Sequence, residues 1–128
     1  MVIDCSAVLA VLLGEPDAPV YAAAIENDPD PKISVVSVLE ATLVIGARKR
    51  EAGLAVLERF LREGRIRIVA FDAEQMQQAQ KAWREYGEGL HPAGLNLGDC
   101  CTYALAKTSG EVLLYNGDDF RRTDLRGF

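Results

Sequence analysis

Histidine is all but missing from this chain: His91 stands alone among 128 residues. A single imidazole excludes mechanisms that need two, one as general base and one as general acid. It also excludes metal centres built on several histidines. Cysteine is scarce and odd in number. Cys5, Cys100 and Cys101 have no zinc-site spacing, so the chain reads as a reduced cytoplasmic protein without a disulfide framework. No window approaches the ~18 uninterrupted apolar residues of a membrane span. The opening Met1-Val2-Ile3 has no basic lead and is broken by Asp4, so neither a signal peptide nor a membrane association is expected. Positive charge is also short, with 14 Lys and Arg against 19 Asp and Glu and a formal net charge of -5. That balance argues against a protein that grips phosphates over a broad basic face. It is compatible with an acidic pocket whose local charge is inverted by bound metal.

What the chain does have is a regular alternation of short elements. With 49% apolar residues it can bury roughly two-thirds of its unfolded surface, so a single domain over residues 1–128 is expected. There is no internal repeat, low-complexity tract or linker. Val2-Ile3 opens as a strand, and Ala7 to Leu13 is helical, ended by Gly14-Glu15-Pro16-Asp17. A second helix runs from Ala18 to about Asn27, then a brief strand, Lys32 to Val35, and a long helix from Ser37 to Arg50. Gly53 is expected to open another amphipathic helix, closed by Gly64. Ile66 to Val69 alternates as a strand, and Asp72 caps a polar helix to about Tyr86. Gly87 to Leu95 is a loop, Asn96 caps a helix to Lys107, and Val112 to Tyr115 is a buried strand before the turn Asn116-Gly117-Asp118-Asp119. Short apolar strands alternating with helices give an α/β class with a mostly parallel, covered sheet.

Four acids stand out by position. Asp4 ends the first strand, where a buried charge needs a specific partner. Glu40 and Asp99 fall in the first turns of two helices, and Asp118 and Asp119 follow the last strand. In a parallel sheet, strand ends and the helix starts that follow them share one edge, so Asp4, Glu40, Asp99 and one of Asp118 or Asp119 can converge. Clustered carboxylates repel unless a cation compensates, and oxygen-only ligands suit Mg²⁺ or Mn²⁺. Such sites serve hydrolysis or transfer at phosphates. Each acid also has a purely structural explanation. Ser37 with Glu40, and Asn96 with Asp99, each have capping-box spacing, and Asp118 or Asp119 can hold a turn.

Four segments, in order, resemble the PIN-domain ribonucleases, specifically the VapC toxins of toxin–antitoxin modules. They are Met1 to Ala7, Ser37 to Ala41, Gly94 to Ala106, and Leu113 to Leu125. The resemblance implies a PIN-like three-layer α/β/α fold and RNA as substrate. It implies Asp4, Glu40 and Asp99 as catalytic and metal-binding acids for Mg²⁺, with Mn²⁺ able to substitute. Asp118 is expected as the fourth acid and Asp119 as the residue holding the turn. Ser6 is expected beside Asp4 as a hydroxyl that bonds a carboxylate or metal-bound water, with Asn96 supporting. Hydrolysis by metal-activated water in line would leave a 5′-phosphate and a 3′-hydroxyl. The partners implied are a VapB-type antitoxin, which blocks the pocket with an inserted Arg or Lys, and a second copy in a homodimer. Two positions depart from the family: Cys5, where Thr or Ser is frequent, and Asn116, where Lys is common.

The remaining conspicuous residues are explained structurally. Arg48-Lys49-Arg50 lie roughly 15 Å along the helix from Glu40, at ~1.5 Å per residue, and favour a helix C-terminus in their own right. His91 sits in the glycine loop, and Trp83 and Tyr86 suit packing. A phosphoacceptor receiver domain needs a second early acid where Ser6 stands, an acceptor Asp within 41–71, where there is none, and a Lys on the last strand. A catalytically silent PIN-like RNA- or protein-binding module is the other alternative.

Overall fold

The computed structural model describes residues 1–128. Four short strands, β1 (Val2–Ile3), β2 (Lys32–Ser34), β3 (Arg67–Val69) and β4 (Leu113–Leu114), pair in parallel in the order β3-β2-β1-β4. Five helices surround them: α1 (Cys5–Leu13), α2 (Ala18–Asn27), α3 (Val35–Glu63), α4 (Ala73–Tyr86) and α5 (Leu97–Ser109). Successive side chains on a strand point to opposite faces, and the core divides accordingly. Ile3, Ile33 and Leu114 pack with Val8, Ile25, Leu57 and Ile66. Val2 and Leu113 pack on the other side with Ala82, Leu95, Tyr103, Leu105 and Phe120. The result is the expected α/β/α sandwich, with α1, α2 and α3 on one face and α4 and α5 on the other.

The register aligns the site. Ile3 lies opposite both Ile33 and Leu114, so β1, β2 and β4 reach their carboxyl ends at one level. Asp4 follows directly on β1 and caps α1, and Ser34 ends β2 and caps α3. Two helix boundaries differ from the sequence expectation. The first helix starts at Cys5, because the Asp4 side chain accepts the Ser6 amide proton. The third starts at Val35, because β2 runs straight into it and Ser34 Oγ takes the Val36 amide at 3.3 Å. Glu40 therefore sits in the second turn, and the expected capping box between Ser37 and Glu40 does not form. The long helix is interrupted at Arg50, its expected end, at φ 55° and ψ −151°. It resumes directly rather than at Gly53, which lets the two halves pack, since a methyl group there would collide with Ile45 and Lys49.

The last residues cover the outer edge of β4. Leu113 donates its amide to Arg126, and Phe128 donates to Leu113. A 3₁₀ turn, Asp119–Arg122, leads into this segment, and Asp124 anchors it by accepting from Tyr103 Oη at 2.6 Å and Lys107 Nζ at 2.8 Å. Burial together with the bond to Asp124 raises the Tyr103 phenol well above its ordinary range. Tyr103→Phe removes one charge-assisted bond, so it should cost about 1.5 kcal/mol. Hydrogen exchange should quicken at the Leu113 and Phe128 amides and stay slow across α1 and α3. Uniform acceleration throughout the sheet would contradict this anchoring role.

Candidate active site

Asp4 is 4% exposed, and both its carboxylate oxygens accept from protein donors. One oxygen, Oδ2, accepts from the Ser6 amide at 2.9 Å and from Ser6 Oγ at 2.6 Å. The other, Oδ1, accepts from Thr102 Oγ1 at 2.7 Å. Ser6 Oγ in turn accepts the Asn116 amide at 3.0 Å, which ties the segment after β4 to the site. The Ser6 proton is thus committed to Asp4, so of its two expected roles the structure shows the bond to a carboxylate. Asn116 replaces the expected Lys with a brace: its side chain donates to Glu15 at 2.7 Å and accepts from Tyr21 at 3.0 Å, joining the end of α1 to α2.

Asp99 and Asn96 form the expected capping box. Asn96 Oδ1 accepts the Asp99 amide at 3.0 Å, and Asp99 Oδ2 accepts the Asn96 amide at 2.9 Å. This uses one Asp99 oxygen and leaves Oδ1 outside the cap. Glu40 crosses from α3 to lie against Gly98 in the first turn of α5. A methyl group at Gly98 would collide with both Glu40 carboxylate oxygens. Only a glycine admits this approach, a role that no sequence spacing announced.

The electrostatics locate the cluster. Burial raises the Asp99 carboxyl to about 7, against the bond from Asn96, with further upward pressure from the charges of Asp4, Asp119 and Glu40. Glu40 is raised by burial and then by Asp4. The buried Cys5 thiol is pushed up to about 12 by burial, followed by Asp4, Glu40 and Asp99. The charges of Asp4, Glu40 and Asp99 therefore act on one another at the carboxyl ends of the strands. None of them is in an ion pair. The opposite end of the sheet differs: there Lys32 pairs with Asp30 and Glu111, and Arg67 pairs with Asp30. No three His, Cys, Asp or Glu side chains stand close enough to share an ion in this arrangement.

Both acids after β4 are exposed. Asp119 is the one whose charge acts on Asp99. Asp118 has an 80% exposed side chain and pairs with Arg121 at 3.1 Å, one turn along the 3₁₀ segment. The other conspicuous residues have these surroundings. His91 Nδ1 accepts the Ala93 amide, and its ring meets Tyr86 edge-on. Arg48, Lys49 and Arg50 are exposed on α3, away from the acids. Trp83 lines a groove with Phe71, Met76, Leu95 and Leu97. Thr102 was not singled out from sequence, because nothing in a helical apolar stretch marks one hydroxyl as facing another element.

A PIN domain family model matches residues 1–125. The chain is 47% identical over 125 residues to a Ribonuclease VapC of Mycolicibacterium smegmatis, covering 98% of this chain and 97% of that protein. It is 48% identical to Ribonuclease VapC30 of Mycobacterium tuberculosis, covering 98% and 95%. Among solved structures it is similar to VapC20 of Mycobacterium tuberculosis, a sarcin-ricin loop cleaving toxin. The TM-score there is 0.80 at 13% identity, covering 99% and 97% of the two chains. It is also similar to VapBC2 of Rickettsia felis bound to a promoter DNA fragment, at TM-score 0.77 and 18% identity, covering 98% and 94%. These two likenesses concern the fold.

The raised Asp99 carboxyl sets a pH dependence for the metal-free protein. An unfolded aspartate loses its proton near pH 4, whereas in the fold it is held to about 7. Between these values the unfolded chain binds fewer protons, so stability falls as pH rises. The contribution is complete below about pH 4 and gone above about 7, and Glu40 acts in the same direction. Denaturant unfolding in a chelator from pH 4 to 8 should show this decline. Asp99→Asn, whose amide oxygen still closes the cap, should flatten it and match or exceed wild-type stability at pH 8. A variant that is less stable at pH 8 would mean that Asp99 only caps α5.

Proposed function

We propose, because this chain belongs to the PIN-domain family, that it is a metal-dependent endoribonuclease, the VapC-type toxin of a toxin–antitoxin module. The observation that carries this reading is the uncompensated group of carboxylates at the carboxyl ends of the parallel strands, beside helix N-termini. The donor set fits a hard divalent cation. It is all oxygen, contains no histidine, has no cation partner within the chain, and includes a glycine cradle for Glu40. Asp4, Glu40 and Asp99 would hold Mg²⁺, with Mn²⁺ able to replace it. We assign the fourth, outer position to Asp119 rather than Asp118, on the strength of its action on Asp99.

When bound, the ion supplies charge neutralisation at the scissile phosphate and makes water a better nucleophile. The protein's part is orientation. Ser6 and Thr102 hold the Asp4 carboxylate in one plane. Gly98 sets where Glu40 can rest, and the capping box with Asn96 fixes Asp99 while leaving one of its oxygens unused. Asp119, on the exposed rim, adds negative charge where solvent and RNA enter. Four acids repel a phosphodiester until a cation is present, so metal dependence follows from the charge of the pocket itself. The same charge suits blockage by an Arg or Lys from a VapB-type antitoxin. A homodimer is supported by the stripe Val35, Leu39 and Leu43 along one face of α3, with Leu97 at the start of α5, all exposed in the single chain. A second copy would cover it.

Purified protein should cleave total cellular RNA with Mg²⁺ and leave it intact in chelator, with new 5′ ends carrying phosphate. Gly98→Ala tests the cradle directly. The added methyl meets only the end of a flexible side chain, so the melting temperature should stay near wild type. Displacing Glu40 by about 1 Å should still lower cleavage roughly 100-fold. Full activity in that variant would remove Glu40 from the site.

Assembly is checked separately. Light scattering of the isolated chain at tens of micromolar should give twice the chain mass. Leu39→Glu with Leu43→Glu should reduce it to one chain mass while helicity is kept. A monomeric wild-type protein would overturn the dimer.

A further inference from the structure

Two buried hydroxyls lie directly beneath the acids. Ser37 and Thr102 are 0% and 1% exposed. Thr102 Oγ1 donates to Asp4 Oδ1 at 2.7 Å, and Ser37 Oγ lies 3.0 Å from Thr102 Oγ1. A carboxylate only accepts, and a hydroxyl has one proton. Thr102 has therefore committed its proton to Asp4, and the proton between the two hydroxyls belongs to Ser37. The chain of bonds has one direction, from Ser37 through Thr102 to Asp4.

Its placement links every element that carries an inward acid. Ser37 stands three residues before Glu40 on α3, and Thr102 three residues after Asp99 on α5. Residues three apart share a helix face, so each hydroxyl lies about one turn along its helix from an acid, and the chain ends on the acid that follows β1. Packing alone does not call for this pair, since valine has the shape of threonine and alanine nearly that of serine. Buried hydroxyls in such a setting must be satisfied by each other or by a nearby group, and here they converge on one carboxylate oxygen. Ser6 already holds Oδ2 through two donors. With Oδ1 pinned as well, the carboxylate has no pivot left.

We infer that Thr102 is a positioning residue that fixes the plane of Asp4 and the registry of α3 against α5, and that Ser37 acts on the site only through Thr102. The inference rests on the Mg²⁺-site reading above. Hydrogen-bond partners of metal ligands typically change affinity 10–100-fold when removed. Mg²⁺ affinity, read by calorimetric titration of the chelator-treated protein, should therefore weaken by that factor in Thr102→Val. Far-ultraviolet dichroism and cooperative unfolding should be retained. Thr102→Ser, which keeps the donor, should restore most of the affinity, a rescue that loss of packing would not produce. Ser37→Ala should weaken binding less than Thr102→Val. The double variant, Ser37→Ala with Thr102→Val, should be no weaker than Thr102→Val alone, because the first hydroxyl has no route to Asp4 except the second. Wild-type Mg²⁺ affinity in folded Thr102→Val overturns the inference while leaving the nuclease reading intact. Additive losses in the double variant overturn the role given to Ser37. If Thr102→Val does not fold, unchanged affinity in Ser37→Ala decides against the chain. A folded wild-type protein that binds no Mg²⁺ instead overturns the metal reading itself, and this inference with it.

Discussion

The interaction on which the rest depends is the set of three hydrogen bonds that holds the buried carboxylate of Asp4 at the end of β1. A charge in that position would cost several kcal/mol without partners. Its donors come from α1 and α5, and Ser6 is itself held by the segment after β4. Satisfying this one group thus sets where α1 begins, how α5 lies across the sheet and how the chain leaves β4. The parallel register brings the ends of β1, β2 and β4 to one level, and the carboxylate locks what lies above that level.

The molecule separates its charges by end. At the amino ends of the strands, acids meet cations: Lys32 with Asp30 and Glu111, and Lys107 with Asp124 on the flank of α5. At the carboxyl ends, Asp4, Glu40 and Asp99 meet only each other and neutral donors. Burial first, and then the neighbouring charges, raises the carboxyls of Asp99 and Glu40. Two apolar clusters on opposite sheet faces let the fold tolerate it. Uncompensated negative charge at the acidic end is what a cation, or a basic side chain from a partner, would relieve.

Much of this was legible in the residues. Strand–helix alternation requires a parallel sheet. The acids at Asp4, Glu40 and Asp99 could be seen to share an edge before any coordinates, because strand ends and helix starts must lie together in that topology. What failed to show was competition between local solutions. Ser34 and Ser37 are both capable caps, and β2 stopping at Ser34 decides for the earlier one, which sends Ser37 inward to Thr102. Asp118 and Asp119 are equivalent by turn chemistry, and no spacing announced that Asp118 pairs with Arg121. The break at Arg50 was legible, whereas the restart falls before Gly53, whose role is close packing between the two halves of α3. Periodicity reports which face a residue takes, and it is silent on which long-range partner waits there.

Capping and site-building, treated as rival explanations of the same acids, turn out to be compatible in geometry. Asp4 caps α1 and faces the cluster. Asp99 closes a complete capping box with one oxygen and keeps the other free of it. Glu40, the acid for which the cap fails, is the one that needs a glycine to seat it. A helix N-terminus offers donors and a favourable dipole for a carboxylate, so it can hold an acid firmly with part of its bonding capacity unspent. An acidic site assembled this way needs few dedicated residues, because the bonds that start the helices also aim the carboxylates. The dedicated groups are then those that no cap requires: Gly98 under Glu40, and the two buried hydroxyls behind Asp4.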